Sequence, residues 1–440
     1  MSFLSRILHA VAPPARRRHI EAGAGGRRWE GASTLTAPHV SSLAARGPVK
    51  ARSAALYLNS AQGNRAVEAW VSAMAGKGWQ ARPQNLDPIR RRDLAEAFEA
   101  LSGPLLIELV RSLVRDGEAF IQITLRPDGT LRLKHLTADQ IDPSLTRDLG
   151  NGGRIVAGVE FDADDEVVAY HVLRDAPGTP FTYHSDPIRV PAADMIHVFD
   201  RLFPGQVRGL SWLAPVLLKM RDRDETADAL LMQAKVASLI TGFISDPEGG
   251  NAGFEGEASS NALNVALEPG AMRILPNGAE VKFSTPGQGV THAVDFLRSI
   301  DREIAAGLGI TFEMLTGDLG EANYSSARVG LLEFRRRAEM LQKHLIEGQF
   351  LRPLWRRWIE AKALSGEITS EEVADHMAVR FVPPGWQWVD PKNEVEAEVA
   401  AIDAGLKSRE EVVAGRGRDI DELDEERARD SERQNGGNQE

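Results

Sequence analysis

Two long helical segments that bracket a short strand-rich insertion constrain the fold of this chain more than any other feature. The pattern from Ser211 to about Ile244 predicts one long helix, and Val290 to Leu308 repeats apolar residues at helical spacing. A third helix is predicted from Ser326 to about Glu360, with Ser325 as its cap. Between the first two lie a Gly/Asn/Ser-rich stretch and the strand-like segments Met272–Leu275 and Glu280–Phe283. This order predicts an elongated subunit rather than a globule.

The residues before these helices predict a mixed α+β domain. Helical patterns cover Ala51 to Ala75, with a break near Gly63, and residues 92 to 115, with a break at Gly103–Pro104. A hairpin is predicted around the turn Pro127–Asp128–Gly129. A second hairpin joins Val156–Phe161 to Val167–Val172 through an acidic turn, residues 162–166. This α+β domain is expected to cover about 51 to 210.

Length and charge narrow the classes of function. A chain of 440 residues exceeds the size of one hydrophobic core, which predicts two or three domains or one subunit of an assembly. It carries no cysteine, which excludes thiolate metal sites and thiol nucleophiles, and its net charge is −11. Because proteins that grip phosphates over a broad surface are usually basic, any contact with nucleic acid is expected to be local.

The two ends of the chain have opposite charge. Residues 1 to about 50 are rich in Gly, Ala, Arg and Pro and predict a flexible basic arm, whereas residues 419 to 440 begin with a block of carboxylates. No stretch is apolar and long enough to predict a membrane-spanning helix.

The sequence contains none of the common catalytic motifs: no phosphate-binding loop, no nucleophile elbow and no zinc-protease helix. Two clusters could hold a metal ion. The carboxylates of the 162–166 turn could bind a divalent cation as in a nuclease, although a solvated hairpin turn is the simpler interpretation. His171, His184 and His197 lie thirteen residues apart, but histidines on sheet faces are commoner than zinc sites of this kind. We therefore predict no metal, no cofactor and no catalytic site.

The segment Gly317 to Ser326 is the most loop-like interruption between two long helices. Its glycines permit unusual backbone angles, and its Asn and Ser residues favour turns and caps. It could simply connect two helices. A polar loop repeated around a pore would, however, touch whatever passes through it.

Several strings of residues resemble the lambda family of tailed-phage portal proteins. The most specific match is Pro204–Gly205–Gln206–Val207–Arg208–Gly209–Leu210–Ser211, directly before the first long helix. Three strand segments are similar to the wing of the family: residues 154–161, 169–172 and 196–199. Residues 307–315, which lead into residues 323–328, are similar to the turn between the stem helix and the tunnel loop of the family. Residues 389–391 and 405–411 resemble its C-terminal signature, so that the resemblance runs colinearly from about 50 to 415.

The resemblance implies a portal-like fold of the α+β class: an elongated subunit with a β-rich wing, two long stem helices, a small α/β clip and a C-terminal helical crown. By position in the sequence, the expected parts are an arm (1–50), the wing (51–210), a stem helix (211–244), the clip (245–288), a second stem helix (289–316), the tunnel loop (317–326), a long helix with the return to the wing (327–391), and the crown with an acidic tail (392–440).

The function implied is that of a non-enzymatic ring, usually twelve-fold, at one capsid vertex of the virion, assembled in the host cytoplasm. Double-stranded DNA would enter and leave through it, and the expected partners are further copies of the chain, the terminase ATPase, the major capsid protein and the head–tail connector, with no membrane. The acidic net charge suits a conduit, because tight phosphate binding would stall the DNA. The expected tunnel-loop residues are Asp318, Leu319, Gly320, Glu321, Ala322, Asn323, Tyr324 and Ser325, and the candidate channel contacts are Arg328, Arg335, Arg336, Lys282 and Arg273.

Two other functions stay open at this point. A metal-dependent DNA-processing enzyme would use the 162–166 carboxylates, and a simple head–tail adaptor ring would have no role for the loop. Residues Arg335 to Arg337 could also pair with Glu333, Glu339 or carboxylates of a neighbouring subunit, because three successive helical positions cannot all face one channel.

Overall fold

The computed structural model describes residues 35–180, 186–238, 242–245, 257–259, 262–264, 280–283, 289–320, 324–387 and 390–436. It shows the α+β class that the sequence predicts. The helices are α1 (Pro38–Asn59), α2 (Ala61–Met74), α3 (Pro88–Asp116), α4 (Leu217–Ser238), α5 (Gly289–Leu308), α6 (Phe312–Thr316), α7 (Tyr324–Leu341), α8 (Arg352–Leu364), α9 (Val373–Met377), α10 (Pro391–Asp403), α11 (Arg409–Gly415) and α12 (Ile420–Gly436).

The strands form small antiparallel sheets. They are β1 (Gln80–Pro83), β2 (Glu118–Leu125), β3 (Leu131–Leu136), β4 (Arg147–Gly150), β5 (Gly153–Val156), β6 (Val159–Phe161), β7 (Val167–Val172), β8 (Ile188–Pro191), β9 (Met195–Phe199), β10 (Gly242–Ser245), β11 (Glu257–Ser259), β12 (Ala262–Asn264), β13 (Glu280–Phe283) and β14 (Val379–Val382). β4 to β8 form a five-stranded meander, and β2 lies between β3 and β9 in a three-stranded sheet. The pairs β1–β14, β10–β13 and β11–β12 are two-stranded.

The three-stranded sheet separates two apolar cores. On one face, Ile121, Ile196 and Val198 join the larger core, which is built mainly from helices. On the other face, Phe120 packs with Tyr170 and other side chains of the meander in a smaller core. Because successive strand residues point to opposite faces, β2 serves both cores. Both predicted hairpins are present, as β2–β3 and β6–β7.

The structure corrects several predicted boundaries in the first half of the chain. α1 begins at Pro38, so the prediction of a flexible arm is wrong for residues 38–50, whereas residues 1–34 lie outside the described part. The break predicted near Gly63 lies at Ser60, whose side chain caps α2. The break predicted at Gly103–Pro104 is wrong: α3 continues because Phe98, Leu106 and Leu109 are buried on one face, while the proline is exposed.

Other boundaries shift for equally local reasons. The strand predicted over Val156–Phe161 is divided, because Ala157 and Gly158 both have positive φ angles and form a tight turn between β5 and β6. The helix predicted up to Ile244 ends at Ser238, since residues 242–245 pair with β13. The third long helix begins at Tyr324, which places Ser325 inside it rather than at its cap, and it runs through a π-helical stretch, Gln342–Leu351, into α8. The predicted strand Met272–Leu275 lies outside the described residues.

Candidate functional site

The loop that follows α5 and α6 begins with an ordered base. Thr311 caps α6 by accepting a bond from the Met314 amide, and Gly317 ends it in the left-handed region (φ 74°) with its N–H on the Glu313 carbonyl at 2.8 Å. Next, the Asp318 amide donates to the Thr316 hydroxyl at 3.1 Å. These caps and hydrogen bonds hold the chain in one conformation where the helix ends.

Asp318 is the centre of this loop base. One of its carboxylate oxygens accepts the Gly320 amide at 2.9 Å, and the other lies 3.2 Å from the Arg298 guanidinium of α5. The neighbouring Leu319 side chain is 71% exposed. The first loop residues are therefore attached to the second long helix while an apolar side chain projects outward. We call Arg298, Thr316 and Asp318 the loop base.

The turn between α5 and α6 is fixed by close packing. A side chain at Gly309, which has a positive φ, would meet the Arg337 guanidinium at 2.0 Å, and one at Gly307 would meet Val216 at 2.4 Å. The Arg337 guanidinium lies over the Trp70 ring, 5.6 Å from its centroid. The glycines thus let α7 and the start of α4 approach the end of α5 closely.

The structure separates the arginines predicted as channel contacts. Arg328 lies 3.7 Å from Glu394, and Arg335 donates to the Gln387 carbonyl at 2.7 Å while stacking over Trp386. Burial lowers the pKa of Arg335. Arg336 is exposed, and the described part of the chain gives it no ion pair. The three consecutive arginines 335–337 therefore point in different directions, as helical geometry requires.

Other predicted site residues have less structural description. Glu321, Ala322, Asn323 and Arg273 lie outside the described residues. Tyr324 and Ser325 begin α7, and Lys282 lies in β13. The Glu339 carboxylate accepts the Trp386 indole N–H at 3.0 Å, and Glu394 and Glu339 both favour the charged form of Arg335 electrostatically.

The string before the first long helix contains a buried cluster of charges. The Arg208 guanidinium lies 2.8 Å from the Glu118 carboxylate, and both side chains are fully buried. Arg46 of α1 and His197 of β9 bind the same carboxylate at 2.9 and 3.1 Å, as does the Gly209 amide at 2.8 Å. We call Arg46, Glu118, His197 and Arg208 the buried joint.

Arg208 also donates hydrogen bonds to three backbone carbonyls. Its guanidinium donates to Ala138, Ile141 and Ala157 at 2.7, 3.3 and 2.6 Å, and it lies over the Phe120 ring. These contacts connect α1, the three-stranded sheet, the meander and the segment that leads into α4. Buried charges with complete hydrogen bonding fix one arrangement of the elements around them.

Electrostatics in the buried joint follow from this arrangement. Burial alone would raise the pKa of Glu118, but Arg208, His197 and Arg46 together hold the pKa well below its usual value. Burial lowers the pKa of His197 despite its bond to Glu118. The carboxylate is therefore ionised and the imidazole neutral near pH 7.

The sequence indicated Arg208 only through its motif. Glu118 and Arg46 carry no local signal in the sequence, since their partners are more than seventy residues away.

The candidate metal ligands do not converge in the part of the chain that the structure describes, where no group of three His, Asp or Glu residues could hold an ion. Asp162 accepts the amides of Asp164 and Glu166 at 3.0 and 2.9 Å, as a turn residue does. His171 binds Glu160 and His197 binds Glu118, while His184 lies outside the described residues. Among described helices, none is long and apolar enough to span a membrane.

Comparison with known proteins gives consistent matches. A family model described as "Phage portal protein, lambda family" matches residues 25–342. The probable portal protein of Halomonas phage phiHAP-1 is 28% identical over 326 residues, which covers 71% of this chain and 62% of the relative. Portal protein B of Escherichia phage lambda is 26% identical over 357 residues, covering 72% and 66%. The chain thus spans somewhat less than two thirds of these relatives. A chain in the solved neck of an empty GTA particle has a TM-score of 0.47 at 17% identity, covering 82% of this chain and 93% of that one.

Proposed function

Because this chain belongs to the lambda family of phage portal proteins, we propose that it forms a ring at one capsid vertex through which double-stranded DNA is packaged and ejected. The observation that carries the proposal is the family match over residues 25–342. The order α4, strand pairs, α5, loop and α7 agrees with the stem, clip, stem and tunnel-loop order expected above. The ring is of the twelve-fold type, and the chain is a virion component made in the host cytoplasm.

The loop from Asp318 to Ser325 is the part proposed to touch DNA. The loop base is attached to α5 through the bond between Arg298 and Asp318, and the next residue, Leu319, is exposed. Of the arginines in α7, Arg336 is best placed for a transient phosphate contact, because Arg328 and Arg335 already engage Glu394 and Trp386. Lys282 and Arg273 remain candidate contacts in the clip. A net charge of −11 leaves the duplex weakly held, as passage requires.

The proposed partners follow from the place of a portal in the particle. They are further copies of this chain, the terminase ATPase at the clip, the major capsid protein and the head–tail connector. The ATPase supplies the energy, so the chain itself is proposed to be structural rather than enzymatic. The turn bonds of Asp162, together with the lack of a possible metal-binding group among the described residues, favour this over a metal-dependent nuclease.

The ring is tested by native mass spectrometry of the purified chain, with negative-stain images. A closed assembly near twelve copies with a central hole supports the proposal. A strict monomer that cleaves DNA with magnesium, and loses cleavage but not folding in Asp164→Ala, would support the nuclease and overturn it.

The role of the loop is tested by deleting Leu319 to Tyr324. We expect rings with an unchanged number of copies and impaired packaging or retention of DNA, because the deletion removes the exposed Leu319 and keeps Asp318. Rings that package and retain DNA normally after this deletion would instead support the simple adaptor ring.

A further inference from the structure

Ion pairs attach the last helix, α12, to the rest of the chain. Arg82 of β1 lies 3.1 Å from the Asp419 carboxylate and 3.0 Å from that of Glu422. Arg91 of α3 lies 2.6 Å from the Asp421 carboxylate. In each of these pairs the cation comes from β1 or α3, and the anion comes from the start of α12. We call Arg82 and Arg91 the covered arginines.

Apolar burial contributes little to the attachment of α12. Of the α12 residues whose burial the structure describes, none is buried. Two further ion pairs join it to the segment before it, Arg409–Asp424 and Arg418–Glu426. Residues 419–436 contain eight Asp and Glu against three Lys and Arg. Because salt and competing ions weaken such pairs, α12 is held by forces that another polyanion can replace.

The covered arginines belong to a cluster of cations. β1 pairs with β14 so that Arg82 stands directly opposite Arg380, and like charges in such positions destabilise a sheet. Arg91 is the middle one of three consecutive arginines near the start of α3. The α12 carboxylates, together with Glu410 on Arg380, offset this accumulation of positive charge. Without α12, the cluster would attract anions.

The covered arginines also have incomplete hydrogen bonding. Their Nε–H groups are buried and have no hydrogen-bond acceptor among the described residues. The side chain of Arg82 is only 9% exposed, and the nearby Asp419 carboxylate is too poorly aligned to accept its Nε–H. A guanidinium presents its N–H groups as a rigid fork that matches two oxygens of one phosphate. The α12 carboxylates therefore occupy the site without satisfying its donors.

We infer that the covered arginines form a binding site for the phosphates of duplex DNA, and that α12 is a displaceable acidic cover over this site. DNA is the polyanion that the proposed function brings to this chain, and in this respect the inference rests on that function. The site uses β1 and α3, and so differs from the loop and channel contacts proposed above. Duplex is bound there only where its phosphates outcompete the carboxylates of α12.

The test measures binding of a fluorescent duplex of about 30 base pairs to the full chain, by anisotropy at about 0.1 M salt. The cover variant, Asp419→Asn/Asp421→Asn/Glu422→Gln, removes the carboxylates that face the covered arginines. Asparagine at 419 keeps an oxygen for the two amides that Asp419 caps. We expect the cover variant to bind the duplex about tenfold more tightly than the parent chain, because two guanidiniums become available to phosphates.

The matched control, Glu425→Gln/Asp430→Asn/Glu432→Gln, changes the charge of α12 by the same amount and leaves the carboxylates on the covered arginines. It should bind within about threefold of the parent chain, since only long-range charge has changed. Adding Arg82→Gln and Arg91→Gln to the cover variant should remove the gain in affinity.

The dependence on salt gives a second readout. Each phosphate contact adds about 0.9 to the slope of log affinity against log salt concentration, so the cover variant should show a slope steeper than that of the control by about two. If the cover variant does not fold, Asp421→Asn compared with Glu425→Gln makes the same test at exposed positions, with an expected gain of about threefold.

Equal affinities in the cover and control variants, or a gain that survives loss of the covered arginines, would overturn the site. This result is separate from the test of the ring, because the binding assay does not require assembly. A chain that forms no ring would overturn the proposed function, while a gain confined to the cover variant would still support the site.

Discussion

The buried joint and the loop base use the same chemistry in opposite surroundings. Arg208 and Glu118 lie 2.8 Å apart with no exposed side-chain surface, whereas Arg298 and Asp318 lie 3.2 Å apart with about a third of each side chain in solvent. Burial makes the first pair costly to disturb, because either charge alone would remain desolvated. Water compensates for loss of the second pair. The comparison separates a part that holds the subunit in one shape from a part that can adjust.

The largest effect is expected for Arg208→Met. It removes a positive charge from a buried carboxylate and takes the guanidinium donor away from the Ala157 carbonyl, so we expect a loss of roughly 3–5 kcal/mol in the free energy of unfolding. Chemical denaturation of the unassembled chain measures it. Arg298→Met, as the matched control at the loop base, should cost about 0–1 kcal/mol. Equal losses in the two variants would contradict the distinction.

A second test concerns backbone packing at the joint. A side chain at Gly209 would meet the carbonyl oxygen of Gly117 at 2.1 Å, so Gly209→Ala should cost about 1–3 kcal/mol by forcing the two segments apart. The control is Gly103→Ala inside α3, where nothing lies within 4 Å of the added atom. There alanine should be neutral or stabilising by up to about 1 kcal/mol. Denaturation curves give both free energies of unfolding. An equal loss of stability in the two variants, or no loss in Gly209→Ala, would refute the proposed clash.

A third test uses pH. Because the folded state lowers the pKa of His197, the unfolded chain binds more protons below about pH 6.5, and stability falls as the pH drops. Glu118, with its pKa held down, adds a further loss only on acidification below about pH 4. His197→Gln retains a donor for Glu118 but does not titrate. Between pH 7.5 and 5 its unfolding free energy should therefore fall less than that of the parent.

The remaining slope in that variant should include His135, whose pKa burial also lowers. An unchanged slope in His197→Gln would show that the joint does not titrate in this range.

How far the sequence predicts this molecule depends on the range of the forces involved. The hairpin at Pro127–Asp128–Gly129 and the pair of long helices are local patterns, and both are present. α3 continues through Gly103–Pro104 because distant segments of the chain bury its residues Phe98 and Leu109, and this burial outweighs the local tendency to break the helix. The joint is harder still: Glu118 looks like an ordinary strand residue until Arg46, His197 and Arg208 surround it.

For the loop, sequence predicts where it begins but not what fixes it. Gly317 and Asp318 carry turn signals, and the structure confirms a turn there. The attachment to Arg298, twenty residues earlier, depends on how α5 and α6 pack and has no local signature.

The smallest effect, and the one that shows most about the loop, is expected for Asp318→Ala compared with Asp318→Asn. Both remove the ion pair with Arg298, but only asparagine keeps an oxygen that can accept the Gly320 amide. Because the loop base is exposed, both substitutions should change the free energy of unfolding by less than about 1 kcal/mol.

Hydrogen exchange followed by mass spectrometry on peptides covering 311–320 should distinguish the two variants. In Asp318→Ala the Gly320 amide should exchange several-fold faster than in the parent chain, and in Asp318→Asn only slightly faster. Equal acceleration would assign the order of the loop base to the ion pair, and no acceleration in either variant would mean that the caps at Thr311 and Gly317 suffice.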